Sequence, residues 1–311
     1  MNHLITVLAG GVGAARFLQG LVRVYPEERI VIISNTADDI ELYGLHISPD
    51  IDIVMYTLAQ VVDENNGWGI KQDTFHCQEL LAKLGQETWF KLGDRDLATH
   101  IFRTEQLRKG VKLSEVTQQL SKALGLKPTI LPMTDDRVET RITTDDGEMH
   151  FEEYLVKRQM RDNVRSVRFM GIESAEAGPN VIESLQDADA IIIAPSNPVV
   201  SIGPILAIRG IRDALKASKG RIVAVSPIVK GLAIKGPADR MMRSLGLEAS
   251  AYGVAQIYKN FLYGFVIDKL DEDQKQRVES LGLKVVATNS LMKDLDDKER
   301  LAKACLDIAL H

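Results

Sequence analysis

The sequence has few cysteines, no long apolar run and no surplus of positive charge, and each lack closes off a class of function. Cys77 and Cys305 are the only cysteines and form no CxxC pair, which argues against a zinc or dithiol motif. Reduced, partly buried thiols are expected rather than a disulfide. No apolar stretch reaches the roughly 18 to 20 residues a membrane helix needs. The opening MNHLITVLAGG lacks a basic start, and its glycines fall where a secretory signal would still be apolar. A cytoplasmic protein without membrane attachment is expected. Net charge is −5, so a general nucleic-acid-binding surface is not expected. The 311 residues, 45% apolar and 26% charged, are those of a globular chain with one large or two ordinary domains.

Short apolar runs alternate with helical patterns. LITVLAG (4–10), RIVIISN (29–35), AIIIAPSN (190–197), RIVAVSP (221–227), GFVIDK (264–269) and KVVATN (284–289) read as strands. Continuous apolar strands imply burial on both faces, the habit of parallel sheets. Helical stretches lie between them at 14–24, 203–217, 238–246 and 271–282. The alternation predicts a Rossmann-like α/β fold, a mostly parallel sheet with helices on both faces. The middle differs. Residues 53 to about 125 read as mostly helical, and 129–169 hold the alternating segments RVETRITT, EMHFEEYLV and VRSVRFMGI, with an Asp-Gly hairpin signal in TTDDG. The expected division is a nucleotide-binding core of 1–58 and 186–311, with 59–185 inserted.

LAGGVGAARFLQGL (8–21) joins the first strand to the first helix. Gly10, Gly11 and Gly13 allow a sharp turn and close approach of a phosphate to amide hydrogens at a helix N-terminus. The dinucleotide fingerprint is incomplete, because Arg16 stands at its third glycine. Arg16 is either a phosphate contact or a surface charge. No Walker Lys-Ser/Thr follows. The turn fits a phosphate-bearing ligand better than NAD.

Ligands of open α/β sheets lie beyond the carboxyl ends of the strands. Those ends carry Asn35 and Thr36, then Ser196, Asn197, Ser201 and Gly203, then Lys230 and Lys235. Together they suit a nucleotide diphosphate. Yet the second strand is followed by SNTADDIELYGLHISPDID (34–52), with five carboxylates and no Lys or Arg. Carboxylates repel a diphosphate unless a cation intervenes, and Mg²⁺ prefers one or two carboxylates plus phosphate oxygens. Asp38, Asp39 and Asp50 are the candidate metal ligands. Asp50 is also a candidate for taking the proton of an attacking hydroxyl. In the inserted region, Trp68 and Trp89 are the only tryptophans; they either stack on a planar ligand or belong to the core. Asp94, Arg95 and Asp96 read equally as a cap with an ion pair or as functional residues.

Five ordered stretches, LAGGVGAARFLQGL, SNTADDIELYGLHISPDID, LGDRDLATHIFRT, LPMTDDRVETRI and APSNPVVSIGPIL, together resemble the 2-phospho-L-lactate transferase family of deazaflavin coenzyme F-420 biosynthesis. The resemblance implies a Mg²⁺-dependent transfer of phospholactate from lactyl-2-diphospho-5′-guanosine to the ribityl hydroxyl of Fo, 7,8-didemethyl-8-hydroxy-5-deazariboflavin. GMP leaves and coenzyme F-420-0 forms. It further implies Asp38, Asp39 and Asp50 as catalytic and metal-binding residues. The substrates would meet Asp50, Trp68, Trp89, Arg95, Asn35 and Thr36, with the two tryptophans bounding the deazaflavin ring and Lys230 or Arg95 meeting the charge of the transferring phosphate. The donor would meet Gly10, Gly11, Gly13, Ser196, Asn197, Ser201, Gly203 and Lys230. A homodimer is expected from this class of enzyme. Two alternatives stay open: a nucleotide or nucleotide-sugar binding protein of the same superfamily without catalysis, and an NAD-dependent oxidoreductase. No motif reads whether the donor carries lactate, enolpyruvate or glycerate.

Overall fold

The computed structural model describes residues 3–311. Seven strands form one parallel sheet: β1 (Ile5–Ala9), β2 (Ile30–Ser34), β3 (Thr129–Pro132), β4 (Ala190–Ile193), β5 (Arg221–Val225), β6 (Gly264–Asp268) and β7 (Lys284–Thr288). Their spatial order is 3-2-1-4-5-6-7, and every pairing is parallel. This is the doubly wound order of dinucleotide-binding sheets with one strand added. The order reverses between β1 and β4, which opens a crevice at their carboxyl ends.

Burial on both faces explains the uninterrupted apolar strands. In β1, Ile5, Val7 and Ala9 face one hydrophobic cluster, which also holds Phe17 and Leu21 of helix α1 (Gly11–Val24) and Leu301 of the helix Leu295–Leu310. Leu8 faces the other cluster, with Ile205, Leu215 and Val254 from helices on the opposite side. Neighbouring positions of one strand therefore serve two cores, as the period of two requires.

Strand β3 falls inside the stretch that the sequence reading assigned to the inserted region. Its backbone pairs with β2 from Thr129 to Pro132. Four residues ending in proline carry little strand signal, and an edge position is where a strand tolerates proline. The hairpin at 145–146 forms as expected, joining Glu139–Thr144 to Gly147–His150, with Val164–Met170 on the other side. EMHFEEYLV, however, is a strand only as far as His150. Phe151 and Tyr154, three apart and both buried, then bring the chain into helical turns. The stretch 203–217 is also not one helix: Gly210, at φ +86°, separates Ile202–Ala207 from Ile211–Ala217. Residues 271–282 likewise divide, into a 3₁₀ segment ending at Gln274 and a short α-helix Lys275–Glu279.

Candidate functional site

The glycine turn closes tightly over the reversal point. A Cβ on Gly13 would lie 2.2 Å from the Pro195 carbonyl oxygen, and one on Gly10 would lie 2.7 Å from Ser201 Cβ and 2.9 Å from Asp50 Oδ2. Only glycine admits such approaches. The loops after β1 and β4 are thereby joined, and Asp50 is brought against the turn.

Asp50 begins helix α2 (Pro49–Leu58), with Pro49 in its first turn. The helix N-terminus favours a carboxylate there. The Gly11 amide N–H donates to Asp50. The Asn35 side-chain nitrogen donates to Asp50 Oδ2 at 2.9 Å and to Asp38 Oδ2 at 3.1 Å. Asp38 and Asp50 are both buried. Burial, and then the charge of Asp50, push Asp38 well above the ordinary carboxylate range. Burial chiefly raises Asp50, to about 7, against the Asn35 bond that lowers it. Glu152 joins the group. Burial and then Asp50 push it to about 8.

Two buried carboxylates held by one neutral amide, with Asp38 Oδ1 buried and without a hydrogen-bond partner, fit a hard divalent cation. Among the described residues no group of three or more His, Cys, Asp and Glu side chains is arranged to hold a metal ion. Mg²⁺ takes one or two carboxylates and completes its shell with phosphate and water oxygens.

Asp39 is tied down through one oxygen only, and its Oδ1, like that of Asp38, is buried without a partner. Its Oδ2 accepts from Ser48 at 2.8 Å and lies 2.9 Å from His46 Nε2. With Thr36, Asp39 lines a cavity of about 370 Å³ that also includes His46, Arg137, Arg141 and His150. The Thr36 hydroxyl is buried and without a partner. The cavity thus adjoins the carboxylate group across the turn that follows β2.

Asp52 is not a bare helix-start residue. Arg103, fully buried, donates to both its oxygens, to Oδ2 at 3.1 Å. Asp96 accepts from Tyr56 at 2.7 Å and stands 3.1 Å from His100 Nε2. These residues tie α2 to the helix Asp96–Arg108. Asp94 is a cap as well, accepting from the backbone of His76 and Cys77 at 3.0 Å.

The remaining sequence candidates are dispersed. Ser196 is buried and its hydroxyl has no partner. Asn197 is engaged in its own loop, accepting from Val199 N at 2.9 Å. Gly203 lies close to the Pro198 carbonyl, 3.2 Å from a built Cβ. Lys230 turns to Asp273 at 3.2 Å. Arg95 is exposed and reaches the Lys71 carbonyl at 3.4 Å. Trp68 meets Phe75 edge-on and Trp89 meets Phe90 edge-on; no ring contact joins the two tryptophans among the described residues. Cys77 is exposed, Cys305 is buried and both are free thiols. Among the described residues no helix is long and apolar enough to cross a membrane.

Glu152 was missed because it stands in a run, FEEY, whose charges read as solvated. Arg103 was missed because nothing in a helical pattern marks a buried arginine.

Over residues 5–304 the chain matches the family described as 2-phospho-L-lactate transferase CofD. It is 43% identical over 311 residues to the phosphoenolpyruvate transferase of Streptomyces coelicolor, covering 98% of each chain. It is 40% identical over 297 residues to the 2-phospho-L-lactate transferase of Methanosarcina mazei, covering 96% of this chain and 97% of that one. The crystal structure of a UPF0052 family member from Bacillus halodurans superimposes with a TM-score of 0.65 at 14% identity, covering 98% and 99% of the two chains. That identity speaks to the fold alone. The near end-to-end sequence matches carry more: this chain is a transferase and belongs to the 2-phospho-L-lactate transferase CofD family.

Proposed function

We propose that the protein transfers phospholactate from lactyl-2-diphospho-5′-guanosine to the terminal ribityl hydroxyl of Fo, releasing GMP and forming coenzyme F-420-0. The observation that carries this reading is the Asp38–Asn35–Asp50 bridge at the glycine turn. Phosphoryl transfer asks a protein for positioning and charge neutralisation more than for covalent chemistry. The bridge holds two buried carboxylates beside the glycine turn, which supports the reading of a proton acceptor and cation ligands next to a bound diphosphate.

The hydroxyl oxygen of Fo attacks the phosphorus that bears lactate. The bond from that phosphorus to the bridging oxygen breaks, and GMP departs with the electron pair. Asp50, raised to about 7, takes the hydroxyl proton at a pH where general-base catalysis works well. Asp38, with Asp50 and Asp39, would hold Mg²⁺, which would offset the negative charge of the diphosphate. Gly10, Gly11, Gly13, Ser196, Asn197, Ser201, Gly203 and Lys230 are assigned to the donor. Two substrates need two spaces. The crevice at the glycine turn suits the donor, and the 370 Å³ cavity beside Thr36 and Asp39 suits the acceptor; Trp68, Trp89 and Arg95 do not line that cavity and are assigned to the substrates from the family resemblance. A cytoplasmic homodimer completes the proposal.

A second donor has specific support. The Streptomyces coelicolor relative at 43% identity is a phosphoenolpyruvate transferase, so an enolpyruvyl donor is the competing substrate. Incubation with Fo, Mg²⁺ and each donor in turn, followed by chromatography of GMP and the phosphodiester, tests both readings. Product from neither donor would refute them.

A further inference from the structure

Two histidines without a part in the transfer both bond to Asp39, one to its side chain and one to its backbone. His46, in the strand Leu45–Ile47, places Nε2 2.9 Å from Asp39 Oδ2. An ionised carboxylate only accepts, so the imidazole donates, as Ser48 Oγ does at 2.8 Å. His150, the last residue of the strand Gly147–His150, places Nε2 3.1 Å from the Asp39 carbonyl oxygen. A carbonyl also only accepts, so this ring donates too. Its Nδ1 accepts from the Glu152 N–H at 3.1 Å. One nitrogen gives and the other takes, which fixes His150 as a single neutral tautomer.

Both histidines are anchored in turn. The His46 N–H donates to Thr104 Oγ1 at 2.8 Å, and that hydroxyl donates to the His100 carbonyl at 2.7 Å in the helix Asp96–Arg108. His150 is buried, and its strand pairs with Glu139–Thr144. That second strand reaches the same turn, where the Thr140 N–H donates to the Ala37 carbonyl at 2.6 Å. The turn closes on itself through the Asp39 N–H, which donates to the Thr36 carbonyl at 3.2 Å. The inserted three-stranded sheet thus grips two carbonyls of the acidic turn, while the hairpin of Ile40–Leu42 and Leu45–Ile47 grips its Asp39 carboxylate.

These bonds occupy one oxygen of each acid. Asp39 Oδ2 takes His46 and Ser48, Asp38 Oδ2 takes Asn35, and Oδ1 of each is buried without a partner. A buried oxygen left unmet costs free energy until a ligand meets it. Hydrogen bonds from neighbouring side chains orient metal-binding carboxylates. We infer that His46 and His150 are positioning residues for the cation: His46 orients the Asp39 carboxylate, and His150 fixes the backbone from which it projects. This rests on the Mg²⁺ reading of the acidic turn. The role is positioning and not ligation, because in each ring the nitrogen facing Asp39 carries the hydrogen and has no lone pair to offer.

The test uses Mn²⁺ as the probe, with the whole protein and GDP present, and reads free Mn²⁺ by electron paramagnetic resonance. Each histidine is replaced by Gln and by Asn. Glutamine sets an amide donor near the place of imidazole Nε2, whereas asparagine sets it near Nδ1, one methylene short of Asp39. His46→Asn and His150→Asn are expected to weaken Mn²⁺ binding about 10- to 100-fold. His46→Gln and His150→Gln are expected to recover most of that loss, with Mg²⁺ displacing Mn²⁺ throughout. Melting temperatures without metal are expected to be alike within each Asn and Gln pair, which separates positioning from general support of the fold. The inference is overturned by Asn variants within about twofold of the unaltered chain, short of the tenfold that an orienting bond is worth. It is equally overturned by Gln variants as weak as the Asn ones, by an Asn variant that loses its fold along with its affinity, or by an unaltered protein that binds no Mn²⁺. Turnover keeps the two readings apart. GMP and phosphodiester from a protein whose Asn variants bind Mn²⁺ normally would leave the transferase reading standing and remove the inference. An Asn loss that Gln repairs, in a protein that makes no product from either donor, would do the reverse.

Discussion

Asn35 donates to Asp50 at 2.9 Å through the nitrogen that also donates to Asp38 at 3.1 Å. One neutral residue thus uses its two amide hydrogens to hold two buried acids at a common point. Neither acid gains a positive partner from the bridge. Their charges must be met by protons or by a cation.

Replacing Asp50 by Asn keeps the size of the side chain and removes the proton acceptor. Turnover is expected to fall at least ~10²-fold, with GDP affinity changed by no more than a small factor. GMP release and calorimetry measure the two quantities. Normal turnover in Asp50→Asn would remove Asp50 from the chemistry.

The same acids make stability depend on pH. The folded values of Asp50 and Glu152 are raised, to about 7 and about 8, above ordinary values of 3.8 and 4.5. A raised carboxylate pKa gives stability that is complete below the ordinary value and lost as pH rises through the folded value. In EDTA, the melting temperature should therefore fall between pH 5 and pH 8. Asp50→Asn and Glu152→Gln should each flatten that fall. Mg²⁺ should restore stability at the alkaline end. A profile equally steep in both variants would show that other groups set it.

Arg103 and Asp52 are a buried pair, and losing one partner leaves an uncompensated charge. Arg103→Met should cost about 3–5 kcal/mol in urea unfolding. Adding Asp52→Leu to it should recover much of that loss. A double variant as unstable as the single one would mean that packing, not charge, dominates there.

Gly13→Ala would set a methyl 2.2 Å from the Pro195 carbonyl oxygen. Backbone must move to admit it, at a cost of about 1–3 kcal/mol. Because the shift opens the reversal point, donor KM should rise together with the loss of stability. Unaltered melting temperature and KM would mean that the two loops are not held as closely as described.

The sheet was legible because six of its seven strands are apolar on both faces, a pattern that needs no tertiary information. β3 was not, because a four-residue edge strand ending in Pro132 lacks that pattern. The glycine turn and the acidic stretch were legible as an unusual pairing: carboxylates beside a turn of the kind that suits anions. Their division of labour was hidden. Asp38, Asp39, Asp50 and Asp52 look alike in sequence, yet Asn35 selects two of them, His46 and Ser48 take the third, and Arg103 takes the fourth from 51 residues away. Only folding decides which acid finds which partner. The same holds for Lys230 and Lys235, five positions apart on one loop, of which Asp273 takes the first.

The central claim is tested most directly by mixing the protein with Fo, lactyl-2-diphospho-5′-guanosine and Mg²⁺, and following GMP and phosphodiester together. Equal amounts of GMP and coenzyme F-420-0, abolished by EDTA and restored by Mg²⁺, are predicted. GMP formed without a phosphodiester, or no GMP from this donor or its enolpyruvyl counterpart, would contradict it.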